Sequence, residues 1–131
     1  MARTACCCCG DATITVDGEP TQNGICNCAS CKKRTGSAFG WSVYFADSAI
    51  VAKTGTTNVY TGKNPANPYE RHFCARCGTT LYWKSKHFMP EFIGIAGGCF
   101  ADDPIPPPSF SVSDARRYSW ACLPDDWERY P

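Results

Sequence analysis

No apolar run in this 131-residue chain approaches the length that crosses a bilayer, so no transmembrane helix is predicted. Charge of either sign is also scarce in net: the formal balance is +1, which gives no broad electrostatic case for nucleic acid or an anionic membrane. The N-terminal residues before Cys6 form no apolar core and no cleavage site, so no signal peptide is expected. Nothing basic or amphipathic flanks the terminal cysteines to support a lipid anchor. Internal repeats and domain boundaries are missing too. The expectation is one domain over residues 1–131, long enough to bury a moderate core.

Cysteine is what the chain has in excess, with eleven residues. An odd count fits a disulfide framework poorly, and with no export signal the thiols are expected to be reduced, in the cytoplasm. Reduced thiols at this density point to metal.

Between the cysteines the pattern is short and β-like. Residues 12–16 alternate apolar and polar and stop at Asp17-Gly18, a turn signal. Residues 40–45 and 79–83 are rich in aromatic and β-branched types. Weaker strands are expected at 56–60, 69–73, 91–96 and 109–113, separated by Gly, Asn, Asp and Pro punctuation. Only 29–35 is expected to hold a helical turn, closed by Gly36. Residues 104–108 carry four prolines in five positions and must cross in extended form. The fold class is mainly β: a single compact, zinc-stabilised domain of short antiparallel strands and hairpins.

The cysteines fall in three groups: Cys6 to Cys9, then Cys26, Cys28 and Cys31, then Cys74 and Cys77 before Gly78. The last is a zinc knuckle by type. Two thiolates two residues apart grip one ion while the turn's N–H groups face the sulfurs, and Gly78 permits the left-handed backbone that closes it. A redox dithiol is the competing reading, but it belongs after a strand in a βαβ context that is missing here. A closed tetrahedral site needs four ligands, so this pair must draw two from another group. Cys26, Cys28 and Cys31 offer three thiolates at one locus, the count of a catalytic zinc with an open position. The alternative is a second structural site completed by His72, Cys99 or Cys122.

These residues resemble the glutathione-dependent formaldehyde-activating enzyme family, which includes centromere protein V. The family pattern Cys-x-Cys-Gly is matched at Cys7, Cys9 and Gly10. Cys-x-Cys-x-x-Cys, a basic run and Thr-Gly are matched from Cys26 through Cys31, Lys32, Lys33 and Arg34 to Thr35 and Gly36. Phe-Cys-x-x-Cys-Gly-Thr is matched from Phe73 to Thr79, and Arg-x-x-Trp at Arg117 and Trp120. Nearly the whole chain is covered. The resemblance implies a tent-like β zinc fold with two Zn²⁺ per chain. It assigns Cys7, Cys9, Cys74 and Cys77 to a structural ion, and Cys26, Cys28 and Cys31 to an open one. The activity it implies is carbon–sulfur bond formation and cleavage between glutathione and formaldehyde. Doubled cysteines at Cys6 and Cys8 depart from the pattern.

A thiol arriving at an open three-cysteine zinc is deprotonated and becomes a nucleophile at neutral pH. The expected function is therefore a carbon–sulfur lyase of the S-(hydroxymethyl)glutathione synthase type, with Cys26, Cys28 and Cys31 at its centre. Its partner would be a small-molecule thiol or thiol adduct, with no nucleic acid and no membrane. Lys32, Lys33 and Arg34 are candidates to receive the carboxylates of a glutathione-like substrate, against the ordinary reading of a solvated face. His72 is a candidate proton carrier or an ordinary packed histidine. Cys99 is a reactive thiol or, like Cys122, a small buried hydrophobe. The competing function class is a non-catalytic zinc-binding interaction module with two structural ions. A sulfoxide reductase, by fold analogy, would need a reactive cysteine outside the ligand sets.

Overall fold

A computed structural model describes residues Met1–Pro131. In chain order the strands are β1 (Ala2–Cys6), β2 (Thr13–Asp17), β3 (Gln22–Cys26), β4 (Gly40–Ala46), β5 (Ile50–Thr54) and β6 (Thr57–Thr61). They continue with β7 (Tyr69–Cys74), β8 (Thr80–Ser85), β9 (Phe92–Ala96), β10 (Phe110–Val112) and β11 (Glu128–Arg129), and one helix, α1 (Ala29–Thr35), lies between β3 and β4. Three strands make a small antiparallel sheet in the order β1-β2-β5. The other eight form the order β11-β10-β3-β4-β9-β8-β7-β6. Pairing is antiparallel except at β10, which runs parallel to both β3 and β11. The mainly β expectation and each predicted strand are found. None of the helices is long and apolar enough to cross a membrane.

Period-two alternation divides the large sheet into two working faces. On β4, Val43 and Phe45 are fully buried while their neighbours Ser42 and Tyr44 turn to the opposite side. On β9, Ile93 and Ile95 point the same way as Val43 and Phe45, leaving Gly94 facing the other. The buried set joins Ala5, Ile14 and Val16 of the small sheet to Val43, Phe45, Leu81, Ile93 and Ile95 of the large one. Phe100 closes it, its ring 6.2 Å from that of Phe45. Burial of each large side chain here contributes about 1.5–3 kcal/mol.

Four strands were not expected from the sequence: β1, β3, β5 and β11. β3 reads locally as a turn because Asn23 precedes Gly24. Its glycine is instead a packing device, since the Phe110 ring lies where a Cβ at Gly24 would stand. The proline-rich segment forms neither strand nor helix and is anchored by the buried Ile105 and by Asn23 Nδ2, which donates to Pro106 O at 2.7 Å and to Pro107 O at 3.2 Å. This crossing returns the chain beside β3 in the parallel sense.

Candidate metal centres and the adjoining cleft

Two tight turns bring four thiols together. In the first, Cys7 leads out of β1, its carbonyl accepts from Gly10 N–H at 3.1 Å, and Gly10 takes φ +86°. In the second, Cys74 ends β7, its carbonyl accepts from Gly78 N–H at 2.9 Å, and Gly78 takes φ +79°. Both glycines occupy the left-handed region, where a Cβ would be strained. Backbone N–H groups point at the sulfurs: Ala12 N donates to Cys7 Sγ at 3.2 Å, and Arg76 N and Cys77 N to Cys74 Sγ at 3.4 and 3.5 Å. The Sγ atoms of Cys7, Cys9, Cys74 and Cys77 all lie within 4.8 Å of one another and are able to hold a metal ion. Cys9 Sγ stands 3.7 Å from both Cys7 Sγ and Cys74 Sγ. The Thr79 hydroxyl, 3.2 Å from Cys77 Sγ, holds that thiol down to about 5.

The second group is built by the end of β3 and the start of α1. Cys26 is the last residue of β3, and Cys28 caps the helix, its Sγ accepting from Cys31 N at 3.3 Å. A sulfur at this position replaces the oxygen that ordinarily caps a helix. Gly36 ends the helix in the left-handed conformation at φ +62°. Cys26, Cys28 and Cys31 are each half-buried and have their sulfurs within the same 4.8 Å limit. The hydrogen bond from Cys31 holds the Cys26 thiol down to about 5, and that same bond, with burial, pushes Cys31 up. One thiolate is thus already stabilised by its neighbours. Neither His72, Cys99 nor Cys122 joins this group. His72 instead stacks on Tyr82 with centroids 4.6 Å apart, and burial pushes the Cys99 thiol up to about 11.

Asn27, between two of these cysteines, is completely buried. Its Nδ2 donates to Ser111 Oγ at 2.8 Å and to Val112 O at 3.0 Å. The Ser111 hydroxyl donates to Asp114 Oδ1 at 2.8 Å, which also accepts from Arg117 Nε at 3.1 Å. Arg117 Nη1 continues to Ala121 O at 2.7 Å. The C-terminal segment therefore grips the three-cysteine loop from behind. A polar residue flanked by Cys26 and Cys28 was the only sequence trace of this network.

The two groups differ in what lies beside them. A cleft of about 390 Å³ opens against Cys26, Cys28 and Cys31, and none of the other four cysteines lines it. Its floor is the face of the large sheet turned away from the core, carrying Gln22, Gly24, Ser42, Tyr44, Arg71 and Trp83. Trp83 packs against Gly94, where any Cβ would collide with the indole, and its Nε1 donates to Tyr44 Oη at 3.1 Å. Of the basic run after Cys31, only Arg34 faces this cleft. Its guanidinium carbon sits 4.5 Å from the centre of the Trp83 ring. Lys32 turns away, donating to Arg116 O at 2.5 Å with its ammonium 3.7 Å from the Tyr118 ring centre, and Lys33 is exposed on the same far side. Arg71, Tyr44 and Trp83 were not singled out in the sequence, although alternation along their strands would have placed them together.

Fold and site define a class: a mainly β domain with two cysteine groups, each able to hold a metal ion, one of them open to a cleft. The chain belongs to the family described as glutathione-dependent formaldehyde-activating enzyme, whose profile matches residues 2–113. A curated relative from Halomonas elongata, named "Putative glutathione-dependent formaldehyde-activating enzyme", is 28% identical over 121 residues, covering 87% of this chain and 76% of its own. A crystal structure of a Rhodobacter sphaeroides protein shares the fold with a TM-score of 0.58 at 19% identity, covering 73% of this chain and 85% of that one.

Proposed function

We propose that this protein is a zinc-dependent carbon–sulfur lyase of the S-(hydroxymethyl)glutathione synthase type, acting on an aldehyde adduct of glutathione or a similar thiol. The observation that carries the reading is the asymmetry of the two cysteine groups: four thiols closed among themselves, three forming the wall of a cleft. Membership of a family described as activating formaldehyde with glutathione supports the reaction class.

The donor sets suit zinc. A tetrahedron of sulfurs each about 2.3 Å from Zn²⁺ has edges of about 3.8 Å, close to the 3.7 Å separations of Cys9 from Cys7 and Cys74. Cys7, Cys9, Cys74 and Cys77 would hold a structural ion, with backbone N–H groups already aimed at two of the sulfurs. Cys26, Cys28 and Cys31 would hold a second, leaving a position toward the cleft. Zinc bound there supplies a Lewis-acidic site that makes a thiol anionic at neutral pH.

The remaining work falls to the protein. Asn27 and Ser111 fix the loop that carries the three cysteines, so their sulfurs converge before metal arrives. Trp83, Tyr44 and Phe110 give the cleft apolar walls beside the three cysteines, against which the body of a bound thiol adduct would pack. Arg34 offers a fixed positive charge beside Cys31 for the substrate's carboxylate.

The test is turnover of S-hydroxymethylglutathione, beside a panel of other thiols and aldehydes, by protein carrying two zinc ions per chain. Cys31→Ser is expected to stay folded, lose one zinc and lose turnover. A protein that holds two zinc ions and turns over no adduct in the panel is the interaction module instead, and the lyase reading fails.

A further inference from the structure

A sheet edge presents unpaired main-chain N–H and C=O groups that recruit another strand unless something blunts them. Three of the four edges in this fold are blunted. The Thr4 N–H on β1 is taken by Asp103 Oδ2 at 2.9 Å. β5 is bulged against β2 and carries Lys53, and β11 is only two residues long, both charged. β6 has none of these devices. Its five residues, Thr57, Asn58, Val59, Tyr60 and Thr61, include no charge and no proline. They pair with β7 in unbroken register and leave Val59 and Tyr60 exposed.

The ladder shows which groups of β6 are free. Just beyond its ends, Gly62 N donates to Tyr69 O at 2.8 Å, and Ala75 N donates to Thr56 O at 3.0 Å. Antiparallel bonding alternates, so between these points Asn58 and Tyr60 bond to β7, while Thr57, Val59 and Thr61 turn both N–H and C=O outward. That outward set is symmetric about Val59. We infer that β6 is a dimerisation edge, pairing antiparallel with β6 of a second copy about a twofold axis at Val59. In this register Thr57 faces Thr61, Val59 faces Val59, and each pair exchanges both of its main-chain bonds. The side chains suit it: Thr–Thr and Val–Val are favourable cross-strand pairs, and with no charge on β6 none meets its like across the seam. A foreign strand could use the same bonds, but the symmetry of the outward residues favours a copy of this chain. The axis stands perpendicular to the sheet, so both clefts open on one face. Tyr60 ends the cross-strand row that runs Tyr44, Gly94, Trp83, Arg71 along the cleft floor, and the second copy's Asn58 would extend it.

Sedimentation of the purified chain over a concentration series tests the inference, with passage from monomer to dimer mass expected in the micromolar range. Val59→Pro removes the central outward N–H without touching a β6–β7 bond, and Val59→Lys sets two ammoniums face to face. Each is expected to weaken the dimer by about tenfold or more. Amide hydrogen exchange reads the parent alone, whether or not the variants fold. In the dimer the Thr57, Val59 and Thr61 amides are expected to exchange about tenfold more slowly than in the diluted monomer, and Asn58 and Tyr60, already bonded to β7, to change by less than about twofold. A parent that keeps monomer mass up to about 1 mM overturns the inference and leaves the edge to a strand of another protein. A dimer undiminished in both folded variants overturns it too, because another surface then holds the copies together.

Discussion

Replacing Ser111 by Ala removes one hydroxyl from the centre of the network behind the three-cysteine loop. Ser111 is completely buried, accepts from Asn27 Nδ2 at 2.8 Å and donates to Asp114 Oδ1 at 2.8 Å. The variant leaves one N–H of a fully buried amide without a partner, at a cost of about 1–3 kcal/mol. Neither water nor a side-chain shift relieves this easily, because Asn27 itself has no exposed surface. With about 2 kcal/mol lost, a domain of this size is expected to melt about 8 °C lower. The local effect is sharper than the global one. Ser111 pairs with Ile25 and Val112 with Cys26 across the parallel β10–β3 contact, so loosening β10 loosens the Cys26 end of the three-cysteine group. Removing such outer support typically weakens metal binding by about 10–100-fold. The assay is thermal unfolding at saturating zinc, together with chelator competition that resolves the two zinc equivalents. One equivalent is expected to weaken and the other to stay. A melting temperature within about 2 °C of the parent, with both equivalents unchanged, would refute the reasoning.

Cys74→Ser is expected to abolish the folded state at ordinary temperature, since it opens the four-sulfur group that ties the β1–β2 turn to the end of β7; circular dichroism of a soluble native-like domain would contradict it. The same change at Cys31 is expected to leave the spectrum intact. Phe45→Ala, at a completely buried position against Phe100, is expected to cost about 3–5 kcal/mol in urea unfolding, and a loss below about 1 kcal/mol would show a misplaced core. Asp114 gives a pH test. The Ser111 hydroxyl, ahead of Arg117, holds its carboxyl below the ordinary value, so its stabilisation is present above the unfolded value and is lost as pH falls through the folded one. The gap in urea midpoint between the parent and Asp114→Asn is therefore expected to be constant from about pH 7 to 5 and to shrink below about 4. A gap that widens on acidification would refute that sign.

The cysteine groups were legible in the sequence because thiols that converge from one turn must keep the short spacings the turn allows. Cys74-x-x-Cys77-Gly78 folds as its spacing predicts, with Gly78 in the left-handed region. The strands rich in aromatic or β-branched residues were legible for a similarly local reason. What escaped depended on contacts far along the chain. β3 was hidden because Gly24 and Asn23 imitate a turn until Phe110, contributed from 86 positions away, fills the glycine's face. β1 was hidden by its polar residues, since only Ala5 on it is fully buried. The basic run was visible as charge, but composition could not divide it. The helix turns Lys32 and Lys33 toward Tyr118 and Trp120 and leaves Arg34 beside Trp83.

The cleft and the core are two sides of one sheet, which links stability to selectivity. Along β4, Val43 and Phe45 are buried while Ser42 and Tyr44 line the cleft; along β9, Ile93 and Ile95 are buried while Gly94 lies beneath Trp83. A one-residue slip in either strand would exchange the two faces, emptying the core and filling the cleft with aliphatic side chains. Register in these strands is thus held by burial on one face, and the other face receives its aromatic lining as a consequence. Substitutions at Ser42, Tyr44 or Trp83 can therefore retune what the cleft accepts with the core left in place. Substitutions at Gly24 or Gly94 cannot, because a Cβ at either would collide with the ring packed against it. The rings of the cleft are replaceable; the two glycines beneath them are not.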